Sequence, residues 1–295
     1  MFSILLTVIM VISMLPTEAF AAGDWNGQPA VSAPAGSGTK EDPYLLADAA
    51  DLKWFADSVN SSTKKSTATL CAELENDIDL SGQAWTPIGY YDSYSDCVYY
   101  GGVFDGNGYS ISGLDIDNAK QYQALFGYVK NGTIKNLTVR GLVRTSTSSS
   151  AYAAGIVAYG YPVVLENCTN EAEITATAKG YAAGVVAYAS SGSRIENCTN
   201  KGNISGSGDY VGGIVATAMK TELHNCFNSG SIVDTGKPSS YAYSVGGIAG
   251  SASSASLISM CGNTGTVTST LKRTGGIVGS LAGTVEKCFN TGNVT

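Results

Sequence analysis

The chain is poor in charge and nearly without histidine: charged residues make up 14% of its 295 positions, and His224 is the only histidine. The net charge of −7 leaves no basic surface to neutralise phosphates, which argues against a nucleic-acid partner. A single histidine, with no cysteine at ligand spacing beside it, offers no zinc site. Acidic turns could offer oxygens to calcium, but the nine-residue repeats of calcium-loaded β-rolls are missing. No cofactor is therefore expected. A long apolar run occurs only at the start, from Ile4 to Leu15, followed by Pro16 and a small-residue cleavage site at Ala19-Phe20-Ala21. Residues 1–21 read as a secretory signal that lacks a positive n-region, and the run is too short to span a bilayer comfortably. After its removal no membrane insertion is expected.

What the sequence has in abundance is glycine, 36 residues of it, arranged in a beat. Gly155, Gly184, Gly213, Gly247 and Gly276 each precede Ile or Val, at steps of 29, 29, 34 and 29 residues. Such a period marks a stack of structural repeats. Cys168, Cys198, Cys226, Cys261 and Cys288 keep the same phase. Three positions before them stand Leu165, Ile195, Leu223, Ile258 and Val285, with Ile134 and Leu137 as an earlier echo. Two positions after come Asn170, Asn200, Asn228, Asn263 and Asn290; four after, Ala172, Gly202, Gly230, Gly265 and Gly292; six after, Ile174, Ile204, Ile232, Val267 and Val294.

Units of this length hold three short strands with turns, and glycine in every unit speaks against helical repeats. Stacked in parallel, each column lies in register about 4.8 Å from the next. The asparagines then become a ladder of side-chain amides that satisfies buried polar groups. The cysteines become an interior column of small hydrophobes, kept reduced because parallel Cβ vectors disfavour bridging. Cys71 and Cys97 lie outside the phase, and a bridge between them is left open.

Ahead of the repeats, residues 22–40 with Pro29, Pro34 and Gly36-Ser37-Gly38 read as a flexible leader, and residues 41–115 as an N-terminal cap with the first irregular coils. Leu52, Phe55, Ala56 and Val59 form one stripe of a short helix, with Asp48 placed to cap it and Asp51 in its first turn. Such a helix suits the open end of a stack. Tyr122, Tyr152, Tyr181 and Tyr210 form a further column that ends at Ser244 and Arg273. Strand parity puts Tyr152 on the face of Ile156, so an aromatic stack in the core or at a corner is preferred to a sugar-binding strip. Tyr90, Tyr91, Tyr94, Tyr99 and Tyr100 sit in a polar insertion and are the candidate ligand contacts.

The phrase Gly-Gly-Ile-Val-Gly at 275–279, its variants at 212–215 and 246–250, and the following Cys-x-Asn-x-Gly-x-Val/Ile resemble the GLUG-motif repeats of bacterial surface proteins. Upstream, Asn76-Asp77-Ile78-Asp79-Leu80, Trp85-Thr86-Pro87-Ile88-Gly89 and Phe104-Asp105-Gly106-Asn107-Gly108 look like the segment that usually precedes them. The resemblance covers most of residues 36–295. It implies an all-β, right-handed parallel β-helix, with coils over 116–295, on an exported bacterial protein that is often found at the cell surface. Similar repeats accompany immunoglobulin A-cleaving metalloendopeptidases, but this chain has no His-Glu-x-x-His to carry that zinc chemistry.

The expected function is a non-catalytic surface scaffold or adhesin-like module whose partner is a glycan or a protein. Its rival is a polysaccharide lyase or glycosidase using Asp77, Asp79, Asp105, Asp115 or Asp117. Binding is to be sought where the rhythm breaks, at Tyr90–Tyr100 and near Lys237–Tyr243. Thr295 follows the last aliphatic position directly, so downstream domains are expected.

Overall fold

The computed structural model describes residues 25–147, 150–177, 179–236, 243–270 and 273–295, so the signal-like segment and most of the Lys237–Tyr243 step lie outside the described residues. The chain is a parallel β-solenoid. One coil runs through Ala151–Ala154, Val157–Gly160 and Val163–Glu166, then through Thr169–Asn170 and Glu173–Ala176. These segments belong to four faces, numbered one to four in that order. Among the described residues six strands make face one, nine each make faces two and three, and twelve make face four. Every named strand pair is parallel except the hairpin Tyr90–Ser93 with Asp96–Tyr100, the insertion that precedes the regular coils.

The one helix among the described residues, α1 (Ala49–Asn60), buries Ala49, Leu52, Phe55, Ala56 and Val59. Asp48 caps it by accepting from the N–H groups of Ala50 and Asp51 at 2.9 and 3.0 Å, and Asp51 reaches back to accept from the Ala47 N–H at 3.1 Å. Its Phe55 ring meets the interior rings of Tyr100 and Phe104, each 6.0 Å away, so the helix stripe continues the solenoid core. The stretch read as a flexible leader is tied to this cap: the Ala30 N–H donates to Ala50 O, the Leu45 N–H to Ala35 O and the Cys71 N–H to Gly38 O.

Inside the coils the columns are continuous. On face three Phe104, Ile134, Leu165, Ile195, Leu223, Ile258 and Val285 pair in sequence, and the first six are fully buried. On face four the column begins with Ile78, Ile111 and Val139 and then turns polar, passing to Asn170, Asn200, Asn228, Asn263 and Asn290. The first four of these asparagines have no exposed surface. Each Nδ2 donates once to the Oδ1 of the next asparagine, at 2.7–2.8 Å, and once to the carbonyl two residues on in its own coil, at 2.9–3.0 Å. Stacking is what makes an amide affordable there, because an unsatisfied one costs roughly 1–3 kcal/mol.

The glycine beat belongs to the same device. A Cβ at Gly155 would overlap Asn170 Oδ1, and one at Gly247 would lie 2.5 Å from Asn263 Cγ. In the preceding coil Val139 stands beside Asn170, and Leu125, whose N–H donates to the Gly155 carbonyl, takes the place of Ile156. An apolar side chain has thus been exchanged for an amide, with a glycine set against it.

The cysteine column is reduced. All seven cysteines are free thiols, and Cys168, Cys198, Cys226 and Cys261 are buried, so no bridge joins Cys71 to Cys97. Each of the four thiols points weakly at the carbonyl two residues before it, at 3.2–3.4 Å. Burial holds the Cys198 thiol well above its usual pKa, which keeps it a poor nucleophile.

The residue before each cysteine position adopts the left-handed conformation: Asn136, Asn167, Asn197 and Asn225 have φ of 52–55°, and Met260 and Lys287 follow at 55° and 53°. Asparagine tolerates that region best. The four asparagines form a second, exposed ladder, with amide contacts of 3.0, 3.2 and 2.7 Å.

Removal of an interior ladder member tests this arrangement. Asn228→Ala strands the Asn200 amide hydrogen, Asn263 Oδ1 and the Gly230 carbonyl, and we predict a loss of about 3 kcal/mol by urea unfolding. Asn290→Ala, at the exposed last rung, is predicted to lose under about 1 kcal/mol. Equal losses would contradict a ladder whose strength comes from burial.

Candidate ligand surface

Faces one and two meet at a corner, and the corner breaks strand parity. Ala151 and Ala153 point into the core, as do Ile156 and Val157, whereas Ala154 and Ala158 belong to a separate cluster on the outer side. The bend at Gly155 therefore reverses the alternation. Tyr152 is outside and Ile156 inside, which corrects the parity argument that put them on one face.

Tyr122, Tyr152 and Tyr181 pack over that outer alanine cluster, and Tyr210 continues their column. A second column, Tyr128, Tyr159 and Tyr188, runs parallel on face two. Its spacing of 31 and 29 residues is visible in the sequence. Within the first column the ring centroids lie 4.8, 4.5 and 5.5 Å apart at interplanar angles of 10°, 9° and 20°. Within the second they lie 4.6 Å apart at both steps. Between columns the rings meet edge to face: Tyr152 with Tyr159 at 5.6 Å and Tyr181 with Tyr188 at 5.7 Å.

All seven rings are half-buried. That leaves their edges to solvent while neighbouring rings cover most of their faces. Burial, with the neighbouring phenols Tyr91 and Tyr181, pushes Tyr122 up to about 12, and burial likewise raises Tyr128, Tyr152, Tyr159, Tyr181 and Tyr188. The corner is consequently a strip of protonated hydroxyl groups at neutral pH.

The insertion distributes its tyrosines unevenly. Tyr94 is exposed at the hairpin tip, with Lys65 Nζ 4.3 Å from its ring centre. Tyr90 donates its hydroxyl to Asp96 at 2.9 Å and meets Lys64. Tyr91 stacks on Tyr128 at 5.8 Å, and Tyr99 lies 4.8 Å from the same ring, so both join the foot of the columns. Tyr100 is not a surface residue. Its strand pairs with Ala68 on one side and Val129 on the other, and its ring lies in the core against Phe55 and Phe126 with no exposed surface. It leaves the set of candidate contacts.

Beside this foot lies a groove of about 250 Å³ between the helix, the hairpin and the turn before Tyr122; Tyr90, Tyr91 and Tyr122 line it together with Asp92, Lys120 and Gln121. A wider hollow of about 710 Å³ opens beside the helix N-terminus, lined by Trp25, Asp48, Asp77, Asp79 and Tyr109.

Four of the five carboxylates considered for catalysis are occupied with structure. Asp77 accepts from Ser110 N–H and Oγ at 2.7 and 2.9 Å, and Asp79 from Ser81 at 2.9 and 2.6 Å. Asp105 binds Asn107 N–H, Asn136 Nδ2 and Lys135 Nζ. Burial opposes its ionisation, but those three contacts outweigh it and hold Asp105 below the usual carboxylate range. Asp117 pairs with Arg144 at 2.7 Å, while Asp115 is exposed two residues before it on the same strand. Among the described residues no group of three or more His, Cys, Asp or Glu could hold a metal ion, and no helix is long and apolar enough to cross a membrane.

Fold and surface together define a parallel β-solenoid with an aromatic corner. No family model matches the chain. A "putative Gly-rich membrane protein" of Evansella cellulosilytica is 32% identical over 137 residues, which is 44% of this chain and 14% of that protein. Halomucin of Haloquadratum walsbyi is 28% identical over 112 residues, 36% of this chain and 1% of that protein. The chain therefore spans a small part of the curated relatives it matches. A crystal structure from Bacteroides ovatus, named a "putative immunoglobulin A1 protease", superposes with a TM-score of 0.70 over 88% of this chain and 79% of that one, at 22% identity. That similarity is one of fold.

Tyrosine titration tests the corner. The raised Tyr122 value stabilises the folded state fully below the phenol's unfolded pKa of about 10, and that contribution fades as pH rises through about 12. The chain should lose stability from about pH 10 upward. Tyr122→Phe should flatten that loss, and an unchanged pH profile of the melting temperature in this variant would contradict the assignment.

Proposed function

We propose that the chain is a non-catalytic, exported surface scaffold that works as an adhesin-like binding module, with the tyrosine corner as its contact face. One observation carries the reading. Where the columns leave tyrosine they pass to Thr217, Ser251 and Ser280 on face two and to Ser244 on face one, and the coils keep the same parallel register. The rings are therefore not needed to close a coil, and their restriction to the first four of the six described strands of face one calls for another explanation. Half-exposed aromatic rings carrying hydroxyl groups are a common currency of recognition surfaces.

The GLUG-like phrases support an exported, surface-displayed protein, as do the signal-like first residues and the names of the membrane-protein and halomucin relatives. The engaged state of Asp77, Asp79 and Asp105 weighs against the carbohydrate-active enzyme.

The test is retention of the purified chain on immobilised glycans, cell-wall polymers and matrix proteins. At least one surface should retain it, and Tyr152→Ser with Tyr159→Ser should weaken retention at least tenfold while the fold persists. Retention by none, or turnover of a polysaccharide to new reducing ends, would overturn the proposal.

A further inference from the structure

The first tyrosine column ends abruptly at its N-terminal side. Tyr152 covers one face of Tyr122 at 4.8 Å and 10°. The next place along the stack holds no parallel ring, because Tyr91 meets Tyr122 at 70° and 5.7 Å. Tyr91 and Tyr122 both line the groove of about 250 Å³. The column therefore presents an unmatched aromatic end to a concave, partly polar space.

The groove's polar side chains suit hydroxyl groups. Asp92 contributes a carboxylate, Gln121 an amide and Lys120 an ammonium group. Among the described residues no side-chain hydrogen bond or ion pair engages these three, although Lys120 lies near enough to Asp96 to help hold its pKa down, in contrast to Asp77, Asp79 and Asp105, which the fold consumes. The volume falls just below the roughly 300–1,000 Å³ of sites for drug-sized ligands, which favours one ring over an oligomer.

We infer that this groove is a binding site for one neutral pyranose ring, the end or a branch of a surface glycan. The ring's C–H face continues the Tyr122 stack in the place of a missing rung. Its hydroxyl groups are shared between Asp92, Gln121 and Lys120. Asp57, also on the groove wall, is paired with Lys53 at 2.5 Å, which leaves one carboxylate, Asp92, against one ammonium group, Lys120, and no net positive charge to attract an acidic sugar. The inference deepens the binding-module reading and rests on it, since it names the ligand class for the foot of that same surface.

The experiment titrates the whole chain with methyl β-glucopyranoside, methyl β-galactopyranoside, N-acetylglucosamine and glucuronate, observed by saturation-transfer NMR. At least one neutral sugar should bind in the millimolar range through its ring protons, and glucuronate should bind no more tightly than the best neutral sugar; tighter binding of glucuronate overturns the neutral-ring assignment. Asp92→Ala and Gln121→Ala, both on the groove wall, should each weaken binding at least fivefold with an unchanged melting temperature. Absence of binding by every neutral sugar overturns the inference, as does binding that both variants retain. If the immobilised-surface assay still retains the chain in that event, the binding-module proposal stands and only the groove is lost; if retention is also absent, both fall.

Discussion

A primary amide inside an apolar coil is tolerable only if its oxygen and both its hydrogens are bonded, and a single coil of this protein cannot provide that. Stacking can. Asn170 gives one hydrogen to Ala172 within its coil and the other to Asn200 in the next, and the pattern repeats as far as Asn290. A slip of one residue between coils would leave the amides unpaired, so the ladder fixes register as well as satisfying itself. It also dictates its surroundings: the glycines of the opposing corner are small because the amides already occupy that space.

With register held from within, the outer surface is free to vary. Ion pairs decorate it between adjacent coils, as in Glu171 with Arg140 and Lys201, and such half-exposed pairs contribute little each. The tyrosine columns are of another kind. They are ordered by the same register, at spacings close to the coil repeat, yet they occupy only the N-terminal coils, beside the hairpin and the helix cap. The solenoid thus separates its tasks: an interior that repeats, and one corner that is aromatic over part of its length, with a groove at its foot.

Much of this architecture was readable from the sequence, because a residue that recurs once per coil leaves its spacing in the chain. The cysteine, asparagine and aliphatic columns and the helix stripe at Leu52, Phe55 and Val59 belong to that class. The corner was less legible. Parity assumes a straight strand, and the bend at Gly155 inverts it, so Tyr152 was assigned to the wrong face. Tyr100 misled because composition alone made the insertion look polar throughout, whereas its strand carries one tyrosine inward and the next outward. Nor could spacing reveal that Gly155 and Asn170, fifteen positions apart in the chain, are two halves of one packing unit. Contact across the coil interior leaves no local pattern.

That unit is the central claim, and a double-mutant cycle measures it. Gly155→Ala drives a methyl group into Asn170 Oδ1; Asn170→Val removes the first amide of the ladder and restores the residue type of Val139 in the coil before. The second change removes the amide oxygen 1.8 Å from the methyl position, while a γ carbon remains at residue 170 and the Gly184 carbonyl lies 2.9 Å away, so the relief is partial. Urea unfolding of the two single variants and the double variant should give a coupling of at least about 1 kcal/mol, with the double variant more stable than the sum of the single losses predicts. Additivity within about 0.5 kcal/mol would show that glycine and asparagine act independently, and would contradict the account.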